Sequence, residues 1–352
     1  MTRSQSPVHT LFMGKHRITQ SDIAREAGVH VATVSMSLRD HPRIPAATKK
    51  RIRRIAKELG YTPDPMLSAL ANYRDRRRPV TFHGTLGWLY NSAQGFDWRK
   101  SAHYTRYFEG AKQCASEQGF QLEPFDMSTT VGSPQRLSST FRNRNIAGLF
   151  LCPHPAGYQG IKFPWEEFSL MTFGYSVVKP ALHTVASAHY RNTRRAMQEI
   201  AARGYRRPGL VLGYDKGLTT DAKIPAAYMV EQQLYFGGAK TPPFFALESK
   251  PETFLPWLKK YRVDVILTIN YLIPFIKKTG FAIPGDIGFI NLTISEKNSV
   301  VSGIVEDDHK IGSVAADFLI AMCHRGERGI PEEPLRTHLE GSWNEGNTLP
   351  QL

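Results

Sequence analysis

The chain has 352 residues, more than one hydrophobic core usually supports, and 41% of them are apolar; two or three packed units are expected, and wholesale disorder is excluded. The formal charge of +14 points to a polyanionic partner and is lopsided: residues 1–80 carry 16 Lys or Arg against 6 Asp or Glu, and the remainder 29 against 25. Cys114, Cys152 and Cys323 lie far apart with no CxxC pair, which excludes a zinc knuckle and reads as reduced thiols, and no apolar run reaches signal-peptide or membrane-span length; a cytoplasmic protein is expected.

Residues 1–14 hold only a short apolar patch and are read as a disordered extension. Thr19 followed by Asp22 has the form of a capping box and opens a helix whose Ile23, Ala24 and Ala27 share one face. Gly28 ends that helix with a tight turn, so that Val29 tucks between it and a second helix from about Val31 to Leu38. A third helix, about Ala46 to Leu59, places Ile52, Ile55, Ala56 and Leu59 on one stripe and crowds its other faces with Lys49, Lys50, Arg51, Arg53, Arg54 and Lys57. Any small three-helix bundle carries such stripes, and a run of charge is ordinarily a solvated face.

More specific is the wording itself. ITQSDIAREAGVHVATVSMSL, followed by RIPAATKKRIRRIAKELGYTPDP, closely resembles the head of the LacI/GalR repressors over residues 17–71, including Ala24, Ala27, Gly28 and Val29 at the turn and Leu59 to Pro63 at the end. The resemblance implies a helix-turn-helix domain over residues 15–63 whose second helix enters the major groove with Val31, Ala32 and Met36 facing base edges. Thr19, Thr33, Ser35, Thr48, Arg53 and Tyr61 would then hold phosphates, contacts that position without specifying. Three apolar reading residues can touch thymine methyls but cannot bind guanine bidentately. His30 and Pro45 stand where relatives cap the second and third helices with Ser or Thr, so both caps read as weaker.

Asp64-Pro65 then opens a helix of roughly ten residues, below the ~12–15 at which an isolated helix becomes marginal in water, so it is expected to order only on gaining partners. By resemblance, residues 64–80 are the hinge and linker, with Leu67, Leu70 and Ala71 in the minor groove and Leu70 wedged between base pairs. These side chains would otherwise simply cap the next domain.

Beyond residue 80, short apolar runs alternate with helical patterns. Strands are read at Thr85 to Tyr90, Gln121 to Phe125, Ala147 to Leu151, Leu170 to Phe173, Leu210 to Leu212, Val263 to Ile269 and Ile287 to Leu292. Helices are read at Tyr104 to Gln118, Pro134 to Arg144, Asn192 to Ala202, Ala226 to Phe236 and Lys310 to Met322. This alternation indicates doubly wound parallel sheets with a ligand cleft beyond the strands' carboxyl ends. The fainter continuing resemblance implies a bilobed, periplasmic-binding-protein-like α/β domain over residues 81–352, of two doubly wound parallel sheets, behind the all-α head. Candidate effector-binding residues are Asn91, Phe96, Trp98, Tyr175, Tyr214, Lys223, Asn270, Tyr271 and Thr293, since aromatic faces stack on sugar rings and amides fix hydroxyls. Each alone is an ordinary loop or core residue; their shared place at strand ends groups them.

Enzymatic signatures are missing: there is no G-x-S-x-G, Walker loop, H-E-x-x-H or G-x-G-x-x-G after a strand. Glu306-Asp307-Asp308-His309 is the nearest lure for a metal, but adjacent acids at a helix start point different ways and suit the helix dipole, so neither metal nor cofactor is expected. The sequence therefore reads as a DNA-binding regulator, a homodimer on a double-stranded operator controlled by a small molecule such as a sugar, without membrane attachment. An exported solute receptor, an architectural DNA protein indifferent to sequence, and a regulator with no effector are the rivals.

Overall fold

The computed structural model describes residues 18–38, 41, 43–61, 82–92, 95–128, 134–154, 163–213, 221–237, 241–245, 251–269, 272–297 and 299–352. The chain divides into two compact units near residue 80. The extension over residues 1–14 and the hinge residues Leu67, Leu70 and Ala71 lie outside the described residues.

The first unit is helical: α1 (Gln20–Ala27), α2 (Val31–Leu38) and α3 (Ala46–Glu58). Apolar side chains from all three meet in one core of Ile23, Ala24, Ala27, Val34, Ile52, Ile55 and Ala56, with Val29 and Leu59 packed against it. The Thr19–Asp22 capping box is complete: the Asp22 carboxylate accepts from Thr19 N at 2.9 Å and Asp22 N donates back to Thr19 Oγ1 at 3.4 Å. Gly28 holds φ +62°, a left-handed conformation costly for residues with a Cβ, and this turns the chain sharply enough for α2 to fold back onto α1.

The second unit has two lobes. The first sheet comprises β1 (Gly84–Tyr90), β2 (Phe120–Asp126), β3 (Ile146–Leu151), β4 (Ser169–Phe173), β5 (His183–Ser187) and a late strand, β10 (Arg336–Leu339), in the order β10-β5-β4-β3-β1-β2. Every neighbouring pair in it is parallel. The second sheet runs β11 (Ser342–Asn344), β9 (Gly303–Val305), β8 (Gly288–Ile294), β7 (Val265–Thr268) and β6 (Pro208–Val211), parallel except for β11. The helices of this unit include α4 (Ala102–Glu117), α5 (Pro134–Asn143), α6 (His189–Ala202), α7 (Lys223–Tyr235), α8 (Phe254–Tyr261), α9 (Ile273–Lys278) and α10 (Asp308–Arg325). The strands read from the sequence are present within a few residues. β5, β9, β10, β11, α8 and α9 are additions; the short strands among them carry too few apolar residues for periodicity to show.

Strand alternation divides each lobe into two cores. Along β1, Leu86 and Trp88 enter one core with α4 and α10, while Leu89 enters the other with Phe141 of α5. In the second lobe Val265 and Leu267 face α6 and α7, and Ile266 faces α8. Because strands buried on both faces read as continuous apolar runs, these were the legible ones.

Three chain segments join the lobes: between β5 and α6, between β9 and α10, and between β10 and β11. They are tied at one point. The buried Glu306 carboxylate in the second segment accepts from Ser187 Oγ in the first and lies 3.3 Å from His189 Nδ1. Asn192 donates to Ser187 Oγ at 2.9 Å, and its own carbonyl accepts from Gly341 N of the third segment at 2.9 Å. Burial pushes the Glu306 carboxyl up, but the hydrogen bonds and charge of His189 and Ser187 prevail and hold it below the usual carboxylate range.

Helices α4 and α10 cross at glycines. A Cβ on Gly110 would lie 1.9 Å from the His309 carbonyl oxygen, and one on Gly312 would lie 2.1 Å from that of Tyr107. The backbones touch where neither side chain exists. Gly312→Ala is expected to destabilise by about 1–3 kcal/mol, the usual cost of overpacking, and to lower Tm in thermal unfolding. Gly285→Ala, whose Cβ would meet nothing nearer than Ala282 at 3.4 Å, should leave Tm unchanged.

Candidate nucleic-acid interface and ligand cleft

In the head, helical spacing sorts α2 into two sides. Val34 and Ser37 point into the bundle and are buried, while Val31 and Ala32 are exposed and Ser35 and Met36 half-buried. The three residues expected to face bases therefore share the outward side, with Thr33 half-buried beside them. Thr19 and Arg53 are exposed; Thr48 is half-buried. Tyr61 is half-buried too, and its hydroxyl accepts from Gln20 Nε2 at 3.2 Å, which fixes the end of the head against the start of α1. Arg51 donates to the Ala27 carbonyl at 2.9 Å, so one of the basic residues of α3 ties α3 to α1.

His30 departs from expectation. Its Nδ1 accepts from Ala32 N at 3.2 Å, so an imidazole does the capping that a hydroxyl does elsewhere. Pro45, in contrast, makes no side-chain cap.

In the second unit, side chains that follow the carboxyl ends of strands meet between the lobes. Tyr175, just after β4, is 7% exposed, and its hydroxyl lies 2.7 Å from His338 Nε2 on β10. Lys223, at the start of α7 in the other lobe, holds its ammonium 4.2 Å from the centre of the Tyr175 ring and pairs with Asp221. Arg336 lies 5.7 Å from the same ring, and the His189 ring 5.9 Å. Burial pushes the Tyr175 hydroxyl up to about 12, so it keeps its proton. Burial first, and then the charges of Lys223, Arg336 and His189, pull His338 down. The Tyr175 hydroxyl and the His338 imidazole thus share one hydrogen bond between β4 and β10.

Tyr175 and Lys223 are therefore brought together across the lobes. Phe96 sits apart, edge-on to the buried His154 at 4.6 Å, and Asn91 follows β1 half-buried. Thr293 on β8 donates to the Ile269 carbonyl at 3.1 Å. Trp98 lies in the core rather than on a lining surface: it is 4% exposed against Trp88 and Phe108, because Asp97 caps a short turn that swings the ring inward. Tyr214, Asn270 and Tyr271 lie outside the described residues. The sequence reading missed His338, Arg336 and His189. Arg336 and His338 alternate on one side of β10, a period-two signal too short to be read without the strand. On another side of the cleft, Arg106 of α4 donates to the Ser295 carbonyl at 2.6 Å and to Glu296 at 2.9 Å, linking the first lobe to the loop after β8.

Residues 19–64 match the family model described as bacterial regulatory proteins, lacI family. The chain carries a lacI-family head. It is 22% identical over 205 residues to an uncharacterized HTH-type transcriptional regulator of Bacillus subtilis (strain 168), YkvZ, covering 58% of this chain and 59% of that one. Over 68 residues it is 41% identical to the HTH-type transcriptional regulator PtxS of Pseudomonas plecoglossicida, covering 19% of this chain and 20% of the relative. Neither match spans two thirds of the relative's length. Among solved structures, a complex of the transcriptional regulator CelR with cellobiose superposes with a TM-score of 0.55 at 18% identity, covering 94% of this chain and all of that one. The lac repressor dimer bound to operator and the anti-inducer ONPF gives 0.52 at 16% identity, covering 95% of this chain and all of that one. These likenesses bear on the fold, a lacI-like head followed by a periplasmic-binding-protein-like pair of lobes.

In this lacI-family head the imidazole cap should matter to α2. His30→Ala is expected to cost α2 about 0.5–1 kcal/mol and to speed its amide exchange, whereas His30→Ser should restore wild-type protection. Equal exchange in all three proteins would show that the cap contributes nothing.

Proposed function

We propose that this protein is a sequence-specific DNA-binding transcription regulator, acting as a repressor, that binds a pseudo-palindromic operator as a homodimer under the control of a small carbohydrate effector. The observation that carries the reading is the outward side of α2, where Val31, Ala32 and Met36 stand on a capped helix in a lacI-family head. Beside it α3 exposes Lys50, Arg51, Arg53, Arg54 and Lys57, a density of cation suited to phosphates. Thr19, Thr33, Ser35, Thr48 and Tyr61 are proposed as further phosphate contacts. Leu67, Leu70 and Ala71 are proposed as the minor-groove contacts.

Self-association has support in α7. Ala226, Met229, Val230, Gln233 and Leu234 recur at helical spacing on its exposed side, with Met229 60% and Leu234 66% exposed. A stripe so apolar is costly to leave in water and suits a second copy of the same helix. The effector reading rests on Tyr175 and Lys223, which meet between the lobes. A polyol entering there would stack on the ring and exchange the Lys223 contact for hydroxyl oxygens, changing the separation of the lobes and hence of the two hinges. Asn91, Phe96 and Thr293, with Tyr214, Asn270 and Tyr271, are the proposed remaining contacts. The protein would work in the cytoplasm; among the described residues no helix is long and apolar enough to cross a membrane.

The apolar reading side of α2 also favours a second reading, an architectural protein indifferent to sequence. Selection from a random duplex pool with the full chain separates the two. A regulator should enrich a two-fold symmetric motif and prefer it by roughly 10³-fold or more over random duplex. Tight binding without a motif would transfer the protein to the architectural class. On the enriched site, Arg53→Ala should weaken every duplex about equally, and Leu70→Ala should reduce bending and affinity together. Unchanged bending in Leu70→Ala would remove the wedge from the mechanism.

A further inference from the structure

Where the second connecting segment enters the first lobe, three ligating side chains converge. Glu306 and Asp308 come from the segment between β9 and α10, and His103 from the first turn of α4. Each offers one donor atom, and the three atoms lie within 4.8 Å of one another. Both acids are sealed from solvent, Glu306 at 5% and Asp308 at 1% exposure. Asp307 and His309, their neighbours in sequence, are not part of the group; Asp307 caps α10 by accepting from Lys310 N at 2.9 Å. The adjacent acids do diverge, but alternate ones do not, and the histidine comes from a distant helix whose close approach the glycine crossing allows.

An ordinary histidine–carboxylate pair explains half of this geometry. Asp308 Oδ2 lies 2.7 Å from His103 Nδ1, while Asp308 Oδ1 is buried with no hydrogen-bond partner. A buried charged oxygen left unsatisfied is costly, and such an atom marks a place where a partner belongs. Arg106 lies near enough for its charge to act on Asp308 but makes no ion pair with it. Arg106 spends its guanidinium on Ser295 and Glu296, and among the described residues no lysine or arginine is paired with Glu306 or Asp308. Around the two sealed carboxylates the imidazoles of His103 and His189 are the only basic side chains paired with them among the described residues, with Ser187 and Asn192 donating to Glu306 and the Tyr107 hydroxyl beside Asp308.

We propose that His103, Glu306 and Asp308 form a binding site for one divalent cation of the first transition row, of the Zn²⁺ class, at the junction of the lobes. Two carboxylates and an imidazole are an oxygen–nitrogen donor set that such an ion accepts, and the imidazole disfavours Mg²⁺ and Ca²⁺. Bonds of about 2.0–2.2 Å would draw one donor atom of each residue to a common centre. The two carboxylate charges balance the ion. The His103 side chain is 38% exposed, which leaves a path for entry and a coordination position for water. Bound there, the ion ties α4 to the segment arriving from the second lobe, so that lobe separation responds to metal as well as to an occupant of the cleft.

The test uses the full chain stripped of metal with chelator and titrated with Zn²⁺ by calorimetry, with Co²⁺ absorption as a spectroscopic reporter. The expected result is one ion per chain with a raised Tm, binding weakened at least tenfold in His103→Ala and in Asp308→Asn. His103→Ala removes a partly exposed ring and should fold as judged by circular dichroism, so it carries the test should Asp308→Asn fail to fold. No stoichiometric binding to the wild type would overturn the site. Undiminished binding and an unchanged Co²⁺ spectrum in His103→Ala would overturn it as well, placing the ion among other histidines of the chain. Neither result depends on whether the protein binds DNA.

Discussion

One buried carboxylate coordinates the second unit. Glu306 sits where the chain passes from the second lobe to the first and is bound to Ser187 and His189 at an earlier passage. Asn192 extends the network to Gly341 at the last passage. A charge removed from water needs its hydrogen bonds, and here they are supplied by segments more than a hundred residues apart. The lobes are therefore joined at a satisfied polar point that fixes where they meet while leaving the cleft walls to the side chains around them. An apolar junction would hold the lobes with less directional preference.

The cleft gains its character from what that junction brings close. Tyr175, Lys223, Arg336, His338 and His189 come from β4, α7, β10 and the first crossing, elements that share no local pattern. Lys223 rests on the face of the Tyr175 ring, and Arg106 ties the first lobe to Glu296. Contacts of this kind, partly exposed and individually weak, can be exchanged for ligand contacts at small cost.

The head works by different means. Its core is small, and three short helices are held by apolar stripes, a complete capping box, a left-handed glycine and an imidazole cap. The side of α2 left outside is apolar at Val31, Ala32 and Met36, and the charge is carried by α3. In the proposed function, affinity and base reading would fall to different helices, the first electrostatic and the second a matter of shape and methyl contact.

The head was legible in the sequence almost residue by residue, because its information is local. Caps act over three residues, a glycine turn over one, and an apolar stripe over two turns, so Thr19, Gly28, Ile23 and Ile52 announce themselves. His30 is the exception, since an imidazole seldom caps and only geometry reveals that it accepts from Ala32. The buried strands of both sheets were legible for the same reason, as unbroken apolar runs. What only the tertiary structure decided are the short edge strands β10 and β11, the burial of Trp98, the meeting of Tyr175 with His338, and the approach of His103 to Asp308. All but the burial of Trp98 depend on contacts between segments far apart in the chain, 163 residues for Tyr175 and His338 and 205 for His103 and Asp308. Periodicity describes which face of an element is apolar; it carries no information about which other element that face, or the polar residue beside it, will meet.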